Sequence, residues 1–298
     1  MSDVPESRRF YFDNVDEFVR AAYGDKCRVS GNDRHRRNSM EMSHGNNERW
    51  FGFTTRRQDG RARSYKDIVA VVAEGWLEGS ARVAERIDAL DVPWVPSVRR
   101  RLTWTDQGDH IEMQRVYNGQ VDTAWQRGLR RNAGGPRSVR IVVDNCYSAG
   151  ADPNAVQWRG IAAIAVARAL CDAGHNVELS TAFRLRHYHS DDSGENGKHY
   201  VAQIVTKAGT MPLDLANVAA TTAFSGFFRG VCLSFMWTRF ENSDSGGCGN
   251  VWKLANEDVV GWGIGECYIV PQGTDNQEAA QRWVAATVAA FIERPRDA

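Results

Sequence analysis

The sequence predicts an α/β fold, a doubly wound and mostly parallel sheet preceded by a mostly helical N-terminal region. Three observations predict it. From residue 138 onward, short β-branched runs alternate with alanine-rich or amphipathic stretches, the pattern of strand-helix-strand crossovers. The NAGGP that ends at Pro136 marks a loop where this texture begins. Before it, apolar residues recur at helical spacing. At 298 residues and 42% hydrophobic, the chain can bury a full core. The expected division is therefore a helical or irregular region over 1–136 and an α/β domain over 137–298.

The first helix is expected over 10–23, with Val15, Phe18, Val19 and Ala22 on one face and Asp13 or Asn14 as N-cap. SGNDRHRRNSMEMSHGNNE (30–48) has almost nothing to bury and reads as a loop. Ser64 then caps a long helix over 65–90, carrying Ile68, Val72, Trp76, Val83 and Ile87, with Gly75 and Gly79 as points of weakness. Residues 91–136 form a connector with some strand content. Strands are expected at 139–143, 176–183, 200–206, 230–237 and 266–271. Helices are expected at 157–173, 215–224 and 276–292.

Bulk properties narrow the function. The 37 basic and 37 acidic residues cancel. Residues 1–140 hold 25 basic against 20 acidic and the remainder 12 against 17, too mild an imbalance to demand a nucleic-acid partner. Arginine runs at Arg34, Arg36, Arg37 and at Arg99, Arg100, Arg101 offer phosphate contacts, but no aromatic residues interleave them, so a solvated charge run is the competing reading. No apolar run approaches the roughly 20 residues of a spanning helix, and the N-terminus lacks a signal-like apolar stretch. The six cysteines show no CxxC or zinc spacing, so reduced thiols in the cytoplasm are expected.

The chemistry concentrates in SVRIVVDNCYSAGA (138–151), where a buried strand ends in Asp144, Asn145, Cys146, Tyr147 and Ser148. In an open α/β sheet, ligands gather beyond the carboxyl ends of the strands, and a carboxylate with small polar neighbours there suits a hard divalent cation. The alternative reading is that Asp144 and Ser148 cap the following turn.

The stretch RIVVDNCYSAG, followed by a helix and NVELSTAF, resembles the opening strand, metal-ion-dependent adhesion loop, helix and second strand of von Willebrand factor A-like domains, of the intracellular type found in cobalt-chelatase subunits. The family's Asp-x-Ser-x-Ser falls on Asp144, Asn145, Cys146, Tyr147 and Ser148, with cysteine at the first serine. Its distal threonine falls on Thr210, with Asp214 close by. The resemblance implies a Rossmann-like fold and a site for Mg or Mn built from Asp144, Ser148, Thr210 and Asp214. Cys146, His187, His189, Asp191 and Asp192 would form its partner-binding rim. It further implies a non-catalytic protein-binding module, in which the cation bridges to a partner's carboxylate. Proteins of this kind are often encoded by bacterial viruses or their hosts, which implies an accessory or assembly role in a bacterial cytoplasm. Two departures count against the metal: no later loop supplies the family's Asp-Gly pair, and a thiol is a poor magnesium ligand.

The same DNCYSAG is also similar to the Asp-x-Cys-x-Ser-Gly of caspase-like cysteine peptidases, which implies a Cys146 hydrolase. That family places its histidine in a His-Gly turn some 50 residues upstream. Here His110 lies 36 residues upstream and no glycine follows it, so a buried unreactive thiol competes with the nucleophile. RLRHYHSDDSGENGKHY places His187 and His189 two apart, on one side of an extended segment, and DDSGENG is turn chemistry. GWGIGE precedes a strand, whereas a phosphate cradle follows one.

Overall fold

The computed structural model describes residues 9–23, 65–98, 101–107, 110–129, 136–147, 151–187, 198–235, 253–254, 258–259 and 266–294. Its centre is a five-stranded, mostly parallel sheet in a mixed α/β arrangement. In chain order the strands are β1 (Arg9–Phe12), β5 (Ser138–Asp144), β6 (Asn176–His187), β7 (Lys198–Lys207) and β8 (Glu266–Val270), and across the sheet they run β1-β7-β6-β5-β8. A separate antiparallel sheet, ordered β2-β4-β3, is formed by β2 (Arg101–Thr105), β3 (His110–Ile111) and β4 (Trp125–Leu129). The helices are α1 (Val15–Tyr23), α2 (Tyr65–Glu74), α3 (Leu77–Asp88), α4 (Met113–Tyr117), α5 (Pro153–Asp172), α6 (Leu215–Thr222) and α7 (Gln277–Glu293).

Alternation along β5 explains the two faces of the sheet. Val139, Ile141 and Val143 point into the main core beneath α5, whereas Val142 joins Ala182 and Val259 on the other side. Both faces of β5 are covered, so the strand reads as an apolar run broken only by Arg140, whose buried guanidinium pairs with Glu178 at 2.6 Å. α5 begins with Asp152, whose carboxylate accepts the Asn154 N–H at 2.9 Å, and with Pro153 in its first turn. It is buried almost all round because α3, α6 and α7 pack around it. Gly160 makes the α6 contact possible: a Cβ there would sit 2.5 Å from the Thr222 carbonyl oxygen.

Several expectations change. The N-terminal segment opens with strand β1, paired in parallel with β7, before α1 begins behind Asn14, whose side chain accepts the Glu17 N–H. Phe12 and Phe18 belong to the main core, as do Ile68, Trp76 and Ile87 from α2 and α3. These described N-terminal segments therefore pack into the same core as the sheet. The helix expected over 65–90 breaks at Gly75, whose φ of 93° ends α2, and the Trp76 N–H donates to the Ala216 carbonyl instead of continuing the helix. Within the strand expected at 230–237, the described residues are helical: a π-helix over Phe227–Cys232 runs on into helix through Phe235. Most consequentially, β7 runs antiparallel to β6 as a hairpin partner, so its carboxyl end lies beside the amino end of β6.

Candidate functional site

β5 has the next strand in sequence, β6, on one side and β8 on the other. The strand order therefore turns at its carboxyl end, the position where open α/β sheets form a crevice. Asp144 is the last residue of β5 and is only 1% exposed. Its Oδ1 accepts the Cys146 N–H at 3.0 Å and its Oδ2 accepts the Leu254 N–H at 3.1 Å. Burial pushes its carboxyl above the usual range, against the pull of those two amides and of Arg159.

The backbone beyond Asp144 is held from several directions. The Asn145 N–H extends the ladder to the Ala182 carbonyl at 2.8 Å, and its side-chain amide donates to the Thr221 carbonyl at the end of α6. The Tyr147 hydroxyl donates to the Ser225 carbonyl at 2.5 Å. Arg229 lies 5.0 Å over the Tyr147 ring and donates to the Ala151 carbonyl. From the first turns of α5, the Arg159 guanidinium donates to the Asp144 and Cys146 carbonyls at 3.3 and 2.7 Å. Its remaining donors bind one oxygen of Asp275, in the turn after β8, at 3.0 and 3.1 Å. Arg159 thus ties the loop after β5 to the loop after β8 across the crevice.

Cys146 is equally enclosed. Its sulfur accepts the Arg184 N–H at 3.0 Å and lies 3.6 Å from the Arg184 carbonyl, within sulfur hydrogen-bond range. Burial, followed by the neighbouring Asp144, pushes the thiol well above its usual range. Arg184 reaches on to Asp258, with its Nη1 3.2 Å from Oδ2 in a pair that is 13% and 3% exposed. His175 lies at the far end of β6 from Cys146, where its Nδ1 accepts the Arg137 N–H.

The expected cation ligands do not assemble. Thr210 and Asp214 follow β7, and its antiparallel course beside β6 carries them to the opposite end of the strands from Asp144. Along β6, the stretch from Ala182, beside Asp144, to Asn176 already spans about 20 Å at roughly 3.3 Å per residue. There Asp214 caps α6, accepting the Ala216 and Asn217 N–H groups. Both Asp144 oxygens are engaged by backbone amides, and a thiol stands where the family's serine would be. Among the described residues, no group of three or more His, Cys, Asp or Glu side chains could hold a metal. Thr210 and Asp214 therefore do not join Asp144 in one donor set. Ser148, His189, Asp191, Asp192, Arg34, Arg36, Arg37, Arg99 and Arg100 lie outside the described residues, as do the side chains of His187 and Arg101.

Sequence reasoning missed Arg159, Asp275, Arg184 and Asp258. One signal was present: an arginine at the head of the otherwise apolar WRGIAAIAVA can be buried only with partners, which identifies Arg159 as an anchor.

The comparisons give a family and no activity. The chain matches DUF7192, a domain of unknown function, over residues 4–292, and no curated protein or solved structure matches it.

Proposed function

We propose that this chain, which belongs to the DUF7192 family over residues 4–292, is a non-catalytic protein-binding module of von Willebrand factor A-like type, which engages its partner through the loop beyond β5. The observation that carries this reading is the Arg159 clamp at the turning point of the strand order. The backbone held at Asp144, Asn145, Cys146, Tyr147 and Ala151 loses little further freedom there when a partner docks, which is how preorganisation raises affinity. Recognition in this reading needs no cation, because Asp144 spends its acceptors on internal amides.

The enclosed Cys146 supports binding over hydrolysis, since a nucleophilic cysteine needs thiolate character and access. Cys146, Cys171, Cys232 and Cys267 are free thiols, which suits a reducing cytoplasm and, by the same resemblance, the cytoplasm of a bacterial host. Among the described residues, no single helix is long and apolar enough to cross a membrane.

The test is affinity capture with wild type, Ala149→Arg and Cys146→Ala, each first shown to be folded. Ala149→Arg, between Tyr147 and Ala151 in the sequence, is expected to lose a partner that Cys146→Ala retains. Equal capture by wild type and Ala149→Arg, or a hydrolytic activity abolished by Cys146→Ala, overturns the reading.

A further inference from the structure

Val92 to Pro96 reads VPWVP, the middle of the segment that follows α3. Both ends of this segment are pinned. Gln281 of α7 grips Asp91 twice, its Oε1 accepting the Asp91 N–H at 2.8 Å and its Nε2 donating to the Asp91 carbonyl at 2.5 Å. The Val98 N–H donates to the Ala173 carbonyl, just beyond α5, at 2.7 Å. Between these anchors Pro93 and Pro96 fix two φ angles, Val95 turns into the core, and Trp94 stands 78% exposed. The indole is thus held in water by a backbone with little freedom left to lose, the condition under which an aromatic anchor contributes most to docking.

Trp94 borders a groove of about 580 Å³, whose lining also includes Asp88, Asp91, Asp172 and Arg168. Asp88 closes α3 and Asp172 closes α5, so two helix carboxyl ends, each with a partial negative charge, carry an acid where a base would be favourable. The last turn of α5 has no basic residue. Arg168 offsets one of the three carboxylates, with its Nη1 3.2 Å from Asp88 in an exposed pair. An indole in water and acids at helix carboxyl ends are each unfavourable for the chain alone. Both become favourable once a cation lies between them.

We propose that this groove is a second interaction surface, which docks an arginine-bearing segment of a partner protein. A guanidinium stacks on an indole face and donates in a planar fork to carboxylates, and the groove offers both. It shares Ile87, Arg168 and Asp172 with a neighbouring cleft of about 720 Å³ that reaches the exposed Met211. Such a length suits an extended chain rather than a lone cation. The 20-residue α5 separates this groove from the loop beyond β5 by about 30 Å, so the two surfaces are distinct.

The full chain is passed over immobilised pools of short peptides, blocked at both ends and degenerate except for a central arginine, citrulline or glutamate. The arginine pool is expected to bind on the order of ten-fold more tightly than the citrulline pool, which keeps the side-chain shape and loses the charge. Trp94→Ala is expected to abolish that preference and Asp172→Asn to weaken it. Both positions are exposed, so neither change threatens the core. Tyr117→Ala removes an equally exposed aromatic outside the groove and is expected to leave the preference unchanged. Equal binding of the arginine and citrulline pools by wild type, or a full preference kept by folded Trp94→Ala, overturns the proposal. Preference for the glutamate pool also overturns it, because Arg168 would then be the recognising charge.

Discussion

Replacing Arg159 with leucine tests the clamp that organises the candidate site. The side chain is 7% exposed and holds two carbonyls, whereas its carboxylate partner Asp275 is 44% exposed. Leucine conserves much of the apolar stem but leaves the Asp144 and Cys146 carbonyls without that donor. Hydrogen bonds from a charged donor contribute about 1.5–3 kcal/mol each, and the Asp144 contact, at 3.3 Å, belongs at the weak end. A loss of about 3–4 kcal/mol is therefore expected. Asp275→Asn keeps an oxygen acceptor and disturbs a pair partly screened by water, so it is expected to cost about 1 kcal/mol or less. For a chain of this size, about 2 °C in Tm corresponds to 1 kcal/mol. Arg159→Leu should then melt about 6–8 °C below wild type, and Asp275→Asn within about 2 °C of it. Equal Tm losses in the two variants, measured by thermal denaturation and calorimetry, would refute the view that Arg159 acts chiefly on the backbone rather than through its ion pair.

Other outcomes follow from the same geometry. Gly160→Ala places a Cβ 2.5 Å from the Thr222 oxygen and 2.6 Å from its carbonyl carbon, so α6 must move. Overpacking of about 1–3 kcal/mol outweighs the roughly 1 kcal/mol that alanine gains in a helix, and a urea midpoint at or above wild type would contradict this. Because burial raises the Asp144 carboxyl in the folded state, the native form binds that proton more tightly than the unfolded chain. The associated stability is fully present below about pH 4 and is lost as pH rises through the raised value. The stability gap between wild type and Asp144→Asn should shift against wild type across that window, and a gap flat with pH would count against burial as the dominant influence. Titration calorimetry with magnesium or manganese is expected to show no heat that depends on Asp144; binding abolished by Asp144→Ala would restore the cation site.

Much of the sheet was readable because its strands and helices differ in texture. The β-branched β5, the alanine-rich α5 and the amphipathic α7 each follow from composition and apolar spacing. Residues 230–235 misled because they are buried throughout, the single polar Ser234 included, and such a run carries no period to separate strand from helix. β1 was hidden by length: four residues of RFYF preceding a well-capped helix read as part of it. The direction of β7 leaves no mark on its own sequence, since only pairing with β6 sets it, and that single fact moves Thr210 and Asp214 away from Asp144. At the site, the position of Asp144 was legible. Its engagement by the Leu254 amide, 110 residues distant in sequence, was not.

Amide hydrogen exchange on the complex with the captured partner, carried out in a metal chelator, tests the binding reading most directly. Added protection is expected in peptides covering Cys146 to Ala151, beyond the end of β5, and it should persist without divalent ions. Protection confined to the β2-β4-β3 sheet, or protection that vanishes when magnesium is withdrawn, would contradict it.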